Sequence, residues 1–153
     1  MSDSIVPPLA SHGRLAFSED ELRDWAWRFG RLAKPPLVVT IAGELGAGKT
    51  TLVQSICRGY GVTDDVTSPT FALVHKYASP RSAVFHLDLY RLRDPEELTN
   101  LGWDEIIAEE ALILIEWPER AGNRIPTQHI PISLQHLPDE PSRRLLYAGG
   151  HVG

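Results

Sequence analysis

The sequence predicts one α/β domain in which a mixed parallel and antiparallel sheet is flanked by helices. Pro36-Leu37-Val38-Val39-Thr40-Ile41-Ala42 and Ala111-Leu112-Ile113-Leu114-Ile115 are short, nearly continuous apolar runs, the pattern of strands buried on both faces of a parallel sheet. The first run leads directly into Gly43-Glu44-Leu45-Gly46-Ala47-Gly48-Lys49-Thr50, the phosphate-binding pattern G-x-x-x-x-G-K-[ST], and a helix-like stretch follows it. The second run ends in an acid, Glu116, at the place where the P-loop NTPase fold needs an oriented carboxylate. With 153 residues, 42% hydrophobic and 23% charged, the chain fits one core and leaves no room for a second domain. The expected domain spans 14–148, between short tails at 1–13 and 149–153.

The elements follow in order. Ser18-x-x-Glu21 is a capping box, and Leu22, Trp25, Ala26, Phe29 and Ala33 recur at helical spacing, so 19–33 reads as an amphipathic helix with its tryptophans packed inward. Arg23, Arg28, Arg31 and Lys34 read as a solvated face shared with Asp20, Glu21 and Asp24. A second helix starts near Gly48; Leu52/Ile56 and Val53/Cys57 form its apolar side, and Gly59 or Gly61 can stop it. The polar stretch 63–70 is a loop. Phe71 to Tyr77 and Ala83 to Tyr90 read as an antiparallel hairpin around Ser79-Pro80-Arg81. Asp94-Pro95-Glu96-Glu97 supplies an N-cap, an N1 proline and a capping-box acid for a short helix ended by Gly102. Another short helix is expected near Asp104 to Glu109. Pro118 stops the buried strand at 111–115, and two more strands are expected at about 128–135 and 143–148.

Charge and composition exclude several classes. A net charge of −5 argues against bulk electrostatic binding to nucleic acid or an anionic membrane. Nine acids and no base lie between Asp94 and Glu119, a solvated acidic face or a docking surface for a basic partner. The single cysteine, Cys57, rules out an internal disulfide framework and fits a reducing cytoplasm, the expected location. The first dozen residues lack the pattern of a signal peptide, and no run of about 18 apolar residues could span a membrane. There is no G-x-S-x-G elbow, no HExxH pair and no N-K-x-D guanine signature.

The chemistry expected of the loop follows from its residue types. Gly43, Gly46 and Gly48 let successive amides turn inward as an anion nest, joined by the free N–H groups of the helix that follows. Glu44, Leu45, Gly46, Ala47, Gly48, Lys49, Thr50 and Thr51 are therefore the candidate nucleotide contacts. Lys49 reaches the β- and γ-phosphates, and the Thr50 hydroxyl is placed to ligate Mg²⁺. Glu116 either ligates that ion or orients a nucleophilic water. Asp88 shares a strand face with His86 and Tyr90 and is the second candidate acid, unless it pairs structurally with Arg91 or Arg93. His86 and Asp88 alone make a weak transition-metal motif, because no third ligand is in view.

Five segments occur in the order seen in one family: residues 43–52, Ser68-Pro69-Thr70-Phe71, His86-Leu87-Asp88-Leu89-Tyr90-Arg91-Leu92, Asp94-Pro95-Glu96-Glu97-Leu98 with Leu101-Gly102, and Leu114-Ile115-Glu116-Trp117-Pro118-Glu119-Arg120. From about 15 to 135 the chain resembles the TsaE family. That resemblance implies a weak, partner-dependent ATPase using ATP and Mg²⁺. It implies action with TsaB and TsaD in threonylcarbamoyl modification of the tRNA adenosine beside the anticodon. It also implies Lys49 and Thr50 as phosphate and Mg²⁺ contacts, Asp88 and Glu116 as the acids, Ser68-Pro69-Thr70 as a switch-like loop and Trp117 beside the nucleotide. Glu44 stands where the family more often has aspartate. Two other readings of the loop are a small-molecule kinase, with Arg91, Arg93 or Arg120 as clamp, and a nucleotide sensor that does not hydrolyse its ligand.

Overall fold

A computed structural model describes residues 14–44, 46–67 and 73–148. In chain order these form β1 (Arg14–Ser18), α1 (Glu19–Leu32), β2 (Leu37–Gly43), α2 (Lys49–Tyr60), β3 (Val74–Tyr77), β4 (Val84–Asp88), α3 (Glu97–Asn100), α4 (Trp103–Ile107), β5 (Leu112–Glu116), two 3-10 turns over Pro118–Arg124, β6 (Ile130–His136) and β7 (Arg143–Ala148). The strands make one seven-stranded sheet in the order β1-β7-β6-β2-β5-β4-β3. Its centre is parallel: β2 pairs with β5 and β6, and β4 pairs with β5. The edges are antiparallel, with β3 on β4, β7 on β6 and β1 on β7. This is the mixed α/β fold expected from the two buried runs.

Alternation along the strands separates two cores. Val39, Ile41, Leu112, Leu114 and Val84 point to the side covered by α1 and α2, where they meet Trp25, Phe29, Leu52 and Ile56. Phe85, Leu87, Ile113 and Ile115 point the other way, against Leu98, Trp103 and Ile106 of α3 and α4. β5 lies between both layers and is buried throughout, which explains its continuous apolar sequence. Among the described residues no helix is long and apolar enough to cross a membrane.

Helix α1 begins as its sequence indicates. The Ser18 hydroxyl accepts from the Glu21 N–H, and the Glu21 carboxylate accepts from the Ser18 N–H at 2.8 Å. Arg23 pairs with Glu19 and Asp20, and Arg28 with Asp24, on the solvated face. Trp25 is buried as expected, whereas Trp27 is 42% exposed, with the Arg31 guanidinium over its ring. At the far end of α2, Gly61 adopts φ 111 and its N–H bonds the Arg58 and Cys57 carbonyls, so it is the stop. Gly59 stays inside the helix. Burial pushes the Cys57 thiol up to about 12, so it is a packed apolar group rather than a nucleophile.

Several features depart from the sequence reading. Strand β1 was not expected, because its partner β7 lies at the other end of the chain and Ser18 serves both as the last strand residue and as the helix cap. The 3-10 turns after Trp117 were also unforeseen. The capping chemistry at Asp94–Glu97 is present, with Glu97 accepting from the Arg93 and Asp94 N–H groups, yet the α-helix itself covers only Glu97–Asn100. Gly102 opens α4 as its N-cap. The expected tails, Leu45, Ser68-Pro69-Thr70 and Phe71 lie outside the described residues.

Helices α1 and α2 cross at two glycines. A Cβ on Gly30 would lie 2.0 Å from the Ile56 carbonyl oxygen, and one on Gly59 would lie 2.0 Å from that of Trp27. In an open helix, glycine to alanine stabilises by about 1 kcal/mol. Here the sign reverses, because backbone must move to admit the methyl group. Gly30→Ala and Gly59→Ala should each destabilise by about 1–3 kcal/mol or more, read as a lower urea midpoint at unchanged slope.

Candidate functional site

The site lies at the carboxyl ends of the parallel strands, where β2 runs into the phosphate-loop residues and α2. Gly43, Gly46 and Gly48 have φ of 151, 77 and 100, backbone that residues with a Cβ rarely adopt. Gly43 is constrained from outside as well, since a Cβ there would meet the Leu134 carbonyl oxygen of β6 at 2.5 Å. Glu44 and Gly46 are exposed, Ala47 is buried, Gly48 and Thr51 are half-buried, and Thr50 is exposed at the start of α2.

Lys49 is buried and its ammonium is occupied. Nζ donates to the Gly43 carbonyl at 2.6 Å and to the Glu44 carbonyl at 2.8 Å, and it sits 4.4 Å from the centre of the Trp117 ring. Burial lowers its pKa, opposed by the negative charges of Glu116, Asp88, Glu119 and Glu44. The lysine thus stands at the focus of the site's carboxylates.

Asp88 and Glu116 end β4 and β5 in direct register, side by side on the face that also carries α2. Burial raises the Asp88 pKa, the Tyr90 N–H donated to Oδ1 opposes that, and the neighbouring Glu116 adds to it. The structural pairing of Asp88 with Arg91 or Arg93 is replaced by this Tyr90 contact. Glu116 is 3% exposed, and its Oε2 lies 2.6 Å from Nε2 of His86, itself 1% exposed. Sequence reasoning placed His86 on the Asp88 face but missed its bond to Glu116. The signal was the two-residue spacing of His86 and Asp88, whose meaning depends on the β4–β5 register.

Trp117 follows β5 in the left-handed region, φ 57 and ψ 52, immediately before Pro118. Such backbone costs a bulky residue about 1–3 kcal/mol and persists only where surroundings enforce it. Its N–H bonds the Ile41 carbonyl, Tyr90 packs on its ring at 4.9 Å, and Arg120 lies 5.9 Å from the Tyr90 ring centre. The turn takes the chain out of the sheet and sets the indole against Lys49.

The donor set fits a hard divalent cation. Thr50 and Asp88 offer hydroxyl and carboxylate oxygens, and no group of three or more His, Cys, Asp or Glu side chains suited to a metal occurs among the described residues. Hard oxygen donors of this kind suit Mg²⁺, an ion that takes one or two protein groups and completes its shell with phosphate and water oxygens. Among the described residues the weak transition-metal reading of His86 and Asp88 gains no third ligand.

The family model described as Threonylcarbamoyl adenosine biosynthesis protein TsaE matches residues 16–145. The chain belongs to the TsaE family. Among TsaE relatives, the tRNA threonylcarbamoyladenosine biosynthesis protein of Rickettsia bellii is 38% identical over 124 residues, 80% of this chain and 85% of its own. The protein of that name from Nostoc is 40% identical over 111 residues, 70% of this chain and 67% of its own. The crystal structure of Bacillus subtilis YdiB superposes with a TM-score of 0.73 at 26% identity, covering 90% of this chain and 86% of that one. The TsaE match extends past 135, the limit of the motifs legible in the sequence, into β7.

One pH dependence follows for this TsaE-family chain. A raised Asp88 pKa means that the folded state holds the proton more tightly than the unfolded chain. The stability associated with it is fully present below the ordinary aspartate range and is lost as pH rises through the folded value. Asp88→Asn should therefore raise the thermal midpoint at neutral pH, and the gain should vanish in acid, as followed by circular dichroism melts across pH.

Proposed function

We propose that this chain is an ATP-hydrolysing subunit of tRNA threonylcarbamoyladenosine formation, acting in the cytoplasm with TsaB and TsaD. The observation that carries the reading is the meeting of Lys49, Asp88 and Glu116 at one end of β2, β5 and β4, beside the amides that open α2. That end collects a buried ammonium and two carboxylates around a loop shaped for anions.

In this reading the loop amides of residues 44–51 hold the phosphates of ATP, and Lys49 releases the Gly43 and Glu44 carbonyls to bond β- and γ-phosphate oxygens. Thr50 and Asp88 would hold Mg²⁺, which would neutralise charge on the phosphate oxygens. Glu116 orients a water for in-line attack on the γ-phosphorus; the bond to the β–γ bridging oxygen breaks and ADP and phosphate leave. Trp117 caps the Lys49 side of the site. The exposed acids of 94–119, all but the buried Glu116, offer a docking face for a basic partner.

Hydrolysis measured with and without the TsaB–TsaD pair tests the reading, and strong stimulation is expected. Lys49→Ala should abolish hydrolysis and weaken nucleotide binding. Glu116→Ala should slow turnover by about 10²–10³. An unchanged rate in Lys49→Ala, or ATP consumed in step with a small-molecule acceptor, would refute it.

A further inference from the structure

We propose that His86 is a positioning residue: its Nε2–H holds Glu116 by one carboxylate oxygen, leaving the other free to orient the attacking water. The inference rests on the hydrolytic role given to Glu116 above, and its grounds are geometric. In the β4–β5 ladder Glu116 stands opposite Asp88, and His86 stands opposite Leu114, one step back on the same face. Glu116 therefore reaches His86 along a diagonal, the spacing that long side chains can bridge. The resulting contact is 2.6 Å, between side chains only 1% and 4% exposed.

Two carboxylates directly opposite each other on neighbouring strands repel. The imidazole draws Glu116 away from Asp88 and fixes a side chain that would otherwise have three free torsions. The hydrogen bond between His86 and Glu116 supplies that restraint. His86 Nδ1 is buried and has no partner among the described residues. An unpaired lone pair is tolerated in a protein interior better than an orphaned N–H, so the proton belongs on Nε2, facing Glu116. Among the described residues the His86 side chain has no other hydrogen bond to account for its place in an otherwise apolar stretch of β4.

The glutamate's length also acquires a reason. An aspartate at 116 would fall short of the diagonal and leave the imidazole without its acceptor.

The test compares the wild-type chain with His86→Ala, His86→Gln, Glu116→Ala and the double variant, each with the TsaB–TsaD pair. His86→Ala should lower kcat about 10- to 100-fold, while KM and ADP affinity by calorimetry stay within about twofold. His86→Gln, whose amide N–H can replace Nε2–H, should restore most of the rate. In the Glu116→Ala background, removing His86 should cost nothing further. Nitrogen NMR of the wild-type chain should show His86 protonated at Nε2, with its signal shifted in Glu116→Ala. A folded His86→Ala with unchanged kcat, additive losses in the double variant, or a proton on Nδ1 would overturn the assignment. If Glu116→Ala leaves turnover intact, the hydrolytic role of Glu116 fails first. If the wild-type chain hydrolyses nothing, the ATPase reading fails and the NMR alone decides whether His86 holds Glu116.

Discussion

The parallel ladder joining β2, β5 and β4 is the constraint on which the site depends. Its register sets Ile41 beside Glu116 and Glu116 beside Asp88, so β4 and β5 end level while β2 runs two residues further, to Gly43. Backbone hydrogen bonds define that level, and no side chain has to. The phosphate loop then begins two residues past Ile41, and Lys49 folds back over the same edge. Helix α2 is packed tightly against α1 at the two glycines, toward the end away from the loop.

Burial gives this cluster its electrostatic character. Four acids act on Lys49, yet desolvation still lowers its pKa, toward the neutral amine. Asp88 shows the same tendency, a carboxyl pushed toward its neutral form by burial. Perturbed titratable groups of this kind concentrate at functional sites. The strained Trp117 backbone adds a second mark of a site, since the sheet and the Tyr90 ring together enforce it.

Much of this could be read from the residues, because the dominant signals were local. A run such as Leu112 to Ile115 can only be buried on both faces, and the glycines and lysine of the loop carry their chemistry in their order. The capping box at Ser18 was legible for the same reason. What escaped depended on partners distant in sequence. β1 exists because β7 reaches it, and the bond of His86 to Glu116 exists because two strands share a register. Gly59 looked like a helix stop, and only the approach of Trp27 gives it a different purpose. The twist at Trp117 had no warning beyond the proline after it, which by itself favours extended backbone.

The bonds from Lys49 to its own loop have one more consequence. With two carbonyls and an indole already around the ammonium, an arriving anion finds the cation desolvated and in place, so capture is an exchange of neutral dipoles for charged oxygens. Little hydration remains to be stripped from the lysine at that moment, and the polypeptide hands over its internal acceptors in a swap.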